Sequence, residues 1–465
     1  MAEPTQTQDA AVNPYKAPAI PAADVERTSL ISTSIATDPR PIAARFGVLV
    51  FLCTLALLLY IDRVCIGQAA TSIRRDLGLS ETQMGWVFNA FILPYCLFEV
   101  VTGHWGDRYG SRRVMTRIVL WWSAFTALTG AAVGFWPLVA YRFLFGAGEA
   151  GAFPNAARVV TRWFPAGERG LARGSITTTS QLGGAIAPPL AAFFIGLVGW
   201  RWTFAIFGAM GIVWAAAFFW WFREDPEEFE RGEKSAAPIE KQQASEHHAI
   251  PWSVVLASPN VWLLGTIMTV GATLFYMLFQ WYPTYLKEAR GLSEQASGWF
   301  GGIALAGGAL GCITGGFVSD LIIRHTTERK WSRRLCGSGM LLCAALALLG
   351  VRYSESALVA SLLCAAALFF LQVSIPTWWT VVAEISGRHG AAMFGLMNGM
   401  GGLGVMVLNA LVGNLIDAGK AAGTPLVEVW RPVFDGVAIG MVVGAVCWLL
   451  VDATRSIVER GGRSE

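Results

Sequence analysis

Apolar stretches about as long as a membrane-crossing helix recur along almost the whole chain. They fall at about 46–69, 83–103, 114–133, 136–160, 174–198 and 201–222, then at about 260–286, 297–321, 334–351, 356–382, 391–416 and 432–453. Each is near the ~20 residues that an α-helix needs to cross a hydrocarbon core. Between the sixth and seventh lies a polar stretch, 223–258, opening on Arg223-Glu224-Asp225-Pro226-Glu227-Glu228. Residues 1–44 are rich in Pro, Ala and Thr, without periodicity or a signal-peptide start, and read as a disordered, uncleaved tail. The pattern predicts an all-α integral membrane protein of twelve transmembrane helices in two six-helix bundles. The bundles are expected over 45–222 and 259–453, with tails 1–44 and 454–465 and a linker 223–258.

Basic residues orient this plan. Of 35 Lys and Arg residues, 25 lie in the tails, the linker and the loops on the same side, and 8 lie opposite; Arg63 and Arg142 are inside helices. Cytoplasmic loops carry such an excess, so both termini and the linker are expected in the cytoplasm, in a cell (inner or plasma) membrane. Composition agrees: 54% of the 465 residues are hydrophobic and 14% charged, against about 25% charged in soluble domains. Mean hydropathy is +0.49. A soluble enzyme and a nucleic-acid binder are both excluded. The eight cysteines have neither metal-ligand spacing nor a disulfide framework and read as small apolar helix residues. Neither metal nor cofactor is expected. His247 and His248 belong to the linker and read as solvated, and the glycine-rich runs follow no strand that would cradle a nucleotide. No catalytic arrangement of Ser and His, zinc-type His and Glu, or paired Asp is present, so an enzyme is not expected.

Charges well inside the apolar segments are few: Asp62, Arg63, Glu99, Arg142 and Glu149. Each costs about 2.5–3.5 kcal/mol at a helix centre on insertion scales, so each needs a partner or a watery cavity. Arg142 and Glu149, seven residues apart, share a helix face with an offset of about 10.5 Å. Asp62 and Arg63 point about 100° apart, so one faces the cavity centre and the other seeks a neighbouring helix. A carboxylate leaving water requires charge-assisted donors, and the guanidinium fork fits it. Arg63 and Arg142 are therefore the candidate anion sites. Asp62 and Glu149 are candidates to take up and release protons as substrate competes for the arginines. Structural ion pairing is the competing reading for both pairs, and for Glu99 it is the favoured one. Tyr60 and Tyr95 are placed to meet the substrate's hydroxyls, and Gln181 and Gln280 are further candidates.

The two halves echo each other. Gly103-His-Trp-Gly-Asp107 closes the second segment and Gly316-Phe-Val-Ser-Asp320 closes the eighth, each followed by basic residues. Repeats of this kind belong to carriers that rock two bundles around a midplane site. The stretch Gly103-His-Trp-Gly-Asp107-Arg108-Tyr-Gly110-Ser-Arg112-Arg113 resembles the loop motif of the major facilitator superfamily. Three further motifs carry a narrower resemblance: Arg142-Phe-Leu-Phe-Gly146-Ala-Gly148-Glu149-Ala-Gly151-Ala-Phe-Pro154-Asn155, Tyr60-Ile-Asp62-Arg63 and Trp281-Tyr-Pro-Thr-Tyr-Leu286. Together they resemble the anion:cation symporter family, which includes bacterial hexuronate, galactonate, glucarate and tartrate transporters and the vesicular glutamate and sialic acid transporters of animals. The resemblance spans roughly 45–453. No Gly follows Asp320 where the motif has one.

The resemblance implies coupling acids at Asp62 and Glu149, and site-lining positions at Trp378 and Asn398. It also implies a gating role for the loop motif, here Asp107, Arg108, Arg112 and the degenerate Asp320. Pro188-Pro189 and the glycine run 399–404 read as bends and tight packing. The function expected is proton-coupled uptake of a small organic anion, most simply a sugar acid, by a monomer in a lipid bilayer. Two alternatives share these features: a proton-antiporting exporter, which would more often carry a different helix-5 pattern, and a transport-inactive anion sensor, which would more often carry a cytoplasmic domain.

Overall fold

A helix leaving the hydrocarbon keeps its backbone hydrogen bonds, and a tilted helix needs more residues to cross. Accordingly the helices outrun the apolar cores that announce them. A computed structural model describes residues 42–224, 252–325 and 329–452. The first six spans are Ile42–Leu77, Glu81–Tyr109, Ser111–Gly130, the pair Phe135–Glu149 and Ala152–Trp163, and the two arms of Arg169–Trp221. The short helix Trp252–Ala257 precedes the second six. These are Pro259–Tyr276 with its continuation to Ala289, Glu294–His325, Arg329–Tyr353, Ala357–Ser386, Gly390–Ala421 and Leu426–Leu450. Among the described residues there is no strand. Eight of the described helices are long and apolar enough to cross a membrane. His247, His248 and the side chains of Asp107 and Asp320 lie outside the described residues.

Large apolar side chains stand exposed around the outside, as lipid contact requires. Indoles mark both ends: Trp136, Trp202 and Trp299 near the turn at 78–80, and Trp105, Trp220 and Trp331 near the opposite end.

Three breaks shape the spans. The fourth is interrupted at Ala150 and Gly151, because Pro154 has no N–H to donate to the Ala150 carbonyl. The fifth and sixth meet at Gly199, whose φ of 79° is open to glycine. The seventh widens into π-helical turns at Met277–Trp281 and Tyr285–Ala289, on either side of Pro283. Pro188 and Pro189 lie within Arg169–Trp221, whose residue with non-helical backbone angles is Gly199. Gly298 and Gly302 of the eighth span lie directly on Pro188 and Pro189. Side-chain-free glycines let these two helices approach closely.

The halves meet along paired spans: the fifth with the eighth, the second with the eleventh, and the first with the seventh. Gly67 abuts the Phe279 carbonyl and Gly85 the Asn409 carbonyl, both without room for a Cβ. In the run 399–404, Gly402 faces Cys96 of the second span and Gly404 faces Thr269 of the seventh.

Candidate substrate and gating sites

The break in the fourth span leaves Glu149 at a helix end, wholly buried, facing the middle of the first span. Gly146 helps to bring it there, since the fourth span rests on the Phe91 carbonyl at a point where any side chain would collide. Arg63 donates from Nε to Glu149 Oε1, an ion pair between side chains 8% and 0% exposed. The central carbon of the Arg63 guanidinium lies 4.5 Å from the Tyr95 ring centroid, 5.2 Å from that of Phe91 and 5.7 Å from that of Tyr60.

Arg142 is 1% exposed, stacked over Phe145 at 4.3 Å and Phe91 at 5.4 Å. Both guanidiniums thus share the Phe91 ring as a neighbour. Asp62 is 3% exposed. It lies beside Trp122, within electrostatic reach of Arg142 and Glu149. The aromatic rings pack close against both arginines by cation–π attraction. Four atoms of this cluster are buried without a hydrogen-bond partner: Arg63 Nη2, Arg142 Nε and Nη1, and Glu149 Oε2. Three donors and one acceptor, all buried, thus share this centre.

The other expected residues are distributed around this centre. Tyr60 stands edge-on to Phe153 (6.5 Å), Phe275 (6.2 Å) and Phe279 (5.9 Å). Tyr95 lies on Phe91 at 5.6 Å. Gln181 and Gln280 are buried, the latter with Oε1 unpartnered. Trp378 donates Nε1–H to the Leu264 carbonyl at 3.1 Å and packs on Phe394. Asn398 donates to Glu99 Oε2 at 2.7 Å, a bond between the halves. Arg108 lies over Tyr109. Arg112 donates from Nε to the Phe219 carbonyl at 2.9 Å. Next to it, Glu224 accepts the Ser111 and Arg112 backbone N–H groups at 2.9 and 3.0 Å, capping the third span from the head of the linker. Phe91 and Tyr276, the latter also close to Arg63, were not singled out by the sequence.

A second cluster, also unforeseen, joins the halves at the 78–80 end. Arg74 Nη1 is 2.5 Å from Glu81 Oε1 and 2.7 Å from Glu288 Oε1. Lys420 Nζ is 2.6 Å from Glu81 Oε1 and 2.7 Å from Glu288 Oε2. Alternating charges thus form a closed ring, two from each half. Ser80 and Gln83 bond reciprocally, side chain to backbone N–H at 3.0 and 3.1 Å, a capping box at the start of the second span. Asp417, from the other half, accepts the Glu81 and Thr82 N–H groups at 3.0 and 2.8 Å. Nearby, Gln68 donates to Glu294 Oε1 at 2.6 Å and accepts from Lys287 at its carbonyl. Deeper, Asn409 donates to Asn89 at 2.9 Å and accepts from Trp281 at 2.8 Å.

Residues 52–407 match the Major Facilitator Superfamily. The probable sulfoacetate transporter SauU of Cupriavidus necator is 31% identical, over 88% of this chain and 94% of its own length. The hexuronate transporter of Bacillus subtilis is 28% identical, over 85% and 94%. A bacterial homolog of the human lysosomal transporter Spinster, solved in an inward-facing, unoccupied conformation, superposes with a TM-score of 0.72. That alignment covers 88% of this chain and 97% of the other at 22% identity, a likeness of fold. With two buried arginines and two buried carboxylates at the centre of twelve paired spans, and with this match, the chain belongs to the major facilitator superfamily of membrane transporters.

Proposed function

We propose that the chain imports a small organic anion together with protons by alternating access. The observation that carries this reading is the half-satisfied cluster at the centre. Arg63 is occupied by Glu149 at one nitrogen, while donors on Arg63 and Arg142 stand buried and free. An arriving anion takes those donors and competes with Glu149 for Arg63. A carboxylate that loses its arginine inside a membrane must be neutralised, and a proton is the smallest charge that does so. Substrate and proton therefore favour each other's binding, which is the thermodynamic core of symport. Asp62, beside Arg142, acts as the second acid of the pair.

In this reading the 78–80 end faces outward and both termini face the cytoplasm of the cell membrane, as the basic residues argue. The ring at Arg74, Glu81, Glu288 and Lys420 then closes the outer side. The relatives are named a probable sulfoacetate transporter and a hexuronate transporter, so these anions are the first substrates to try.

Uptake of radiolabelled sulfoacetate and D-glucuronate into proteoliposomes, with and without an inward proton gradient, tests the proposal. Accumulation is expected only with the gradient. Glu149→Gln is expected to exchange labelled for unlabelled anion without accumulating it. Accumulation that ignores the gradient, or movement of cations instead, overturns the proposal.

A further inference from the structure

The second and eleventh spans meet along a seam of successive contacts. Gly85 rests on Asn409, Asn89 bonds the Met406 carbonyl, Cys96 faces Gly402, and Glu99 accepts from Asn398 at 2.7 Å. Along the second span Glu99 lies about 27 Å from Glu81 of the ring, so the central cluster falls between the two. Tyr95, whose ring abuts Arg63, precedes it by one turn, about 6 Å. Glu99 is half-buried.

A carboxylate inside an apolar helix calls for a cation or a proton. Other acids of the described residues meet cations: Glu149 on Arg63, Glu81 on Arg74 and Lys420, Glu294 on Lys287, and Glu384 on Arg333. Glu99 is bonded to an amide instead, and among the described residues no Lys or Arg forms an ion pair with it. The groups that face it are Arg63 from the first span, Asn398 from the eleventh, and Tyr95 and Cys96 from its own. Arg63 is already engaged at Nε by Glu149, which also acts on Tyr95 from the fourth span. An amide carries both a donor and an acceptor, so Asn398 satisfies an ionised and a protonated carboxyl alike.

Resting on the reading of the chain as a proton symporter, we infer that Glu99 is a third proton-carrying acid, through which protons leave the central site toward the end opposite the ring. The Glu149 carboxyl gives its proton to water, water gives one to the Glu99 carboxylate, and Arg63 again balances the charge of Glu149. A proton on this route passes the Arg63 guanidinium, which repels it, and a carboxylate just beyond offsets that repulsion. The proton stays while Asn398 covers Glu99. When the halves part at that end, the bond between them breaks, water reaches the carboxyl, and its ionised form is favoured. Proton release is thereby tied to the opening of one side.

Two measurements on the full-length protein test this. Infrared spectra read protonated carboxyls through their carbonyl stretch. At about pH 7, where a freely exposed glutamate is ionised, the wild type is expected to show a carboxylic acid band that Glu99→Gln lacks. Identical spectra overturn the inference, whichever anion is carried. In proteoliposomes, sulfoacetate and D-glucuronate are followed both in gradient-driven accumulation and in exchange of labelled for unlabelled anion. Glu99→Gln still accepts from Asn398, so the bond between the halves survives while the proton carrier is lost. The ratio of accumulation to exchange is expected to fall at least about tenfold, since a positioned proton acceptor speeds transfer by that much or more. Asn398→Ala breaks the bond and keeps the acid, and is expected to lower the ratio far less. An unchanged ratio in Glu99→Gln, or an equal fall in Asn398→Ala, overturns the inference and leaves symport standing. A wild type that ignores the gradient overturns the symport reading and the inference with it.

Discussion

Arg63 bonds Glu149 through Nε, packs against Tyr95 and keeps a further N–H free, so no other side chain replaces it. Arg63→Lys supplies the charge without the fork and is expected to weaken anion binding at least about tenfold, measured on the purified protein. Arg63→Ala strands Glu149 as a buried charge, a loss of about 3–5 kcal/mol for such pairs. Adding Glu149→Gln removes the stranded charge, so the double variant is expected to melt higher than Arg63→Ala alone. The charged members of this centre were legible in the sequence, because a charge inside an apolar helix is conspicuous and costly. Their pairing was not. Spacing put Arg142 and Glu149 on one face, yet Arg63, from another helix, holds Glu149. Phe91, which neighbours both guanidiniums, resembles every other aromatic residue in a membrane helix until its neighbours are known.

At the scale of elements, the first and seventh spans touch where Gly67 meets the Phe279 carbonyl. Gly67→Val is expected to hold these helices apart at the 78–80 end. A cysteine placed at Thr71, a position 9% exposed, in a chain cleared of its native cysteines, should then label faster with a membrane-impermeant maleimide. Ser80→Ala removes one side of the capping box and is expected to cost about 1 kcal/mol, read as a lower melting temperature. Span number and order were legible, because twenty apolar residues in a row have one membrane-crossing solution. The interruptions were less so. Pro188 and Pro189 lie within a continuous helix, whereas the helix is interrupted just ahead of Pro154. Trp378 and Asn398, expected to line the site, hold a carbonyl and Glu99, partners that only the folded chain brings within reach.

In the molecule as a whole, the ring at the 78–80 end ties the two halves together on one side of the central cluster, which the proposed cycle must open. Removing Glu288 and Lys420 together takes away the C-terminal half's share without leaving a lone charge. That double variant is expected to widen the distance between spin labels on the 78–80 and 422–425 turns in a larger fraction of molecules. Glu288→Ala alone is expected to lower stability more, since it leaves Arg74 and Lys420 facing each other with only Glu81 between them. When the halves part, Arg74 keeps Glu81 and Lys420 keeps Glu288, because each half holds one ion of each sign. Each lip of the gate therefore travels as a neutral pair, and the motion carries no net charge through the electric field of the membrane. Displacing one elementary charge across 100 mV is worth about 2.3 kcal/mol, so a charged gate would open at one membrane voltage and stall at another. These four residues add nothing to the charge that moves, so under the proposed symport a current recorded during turnover is expected to report the anion, its protons and the charges of the central cluster.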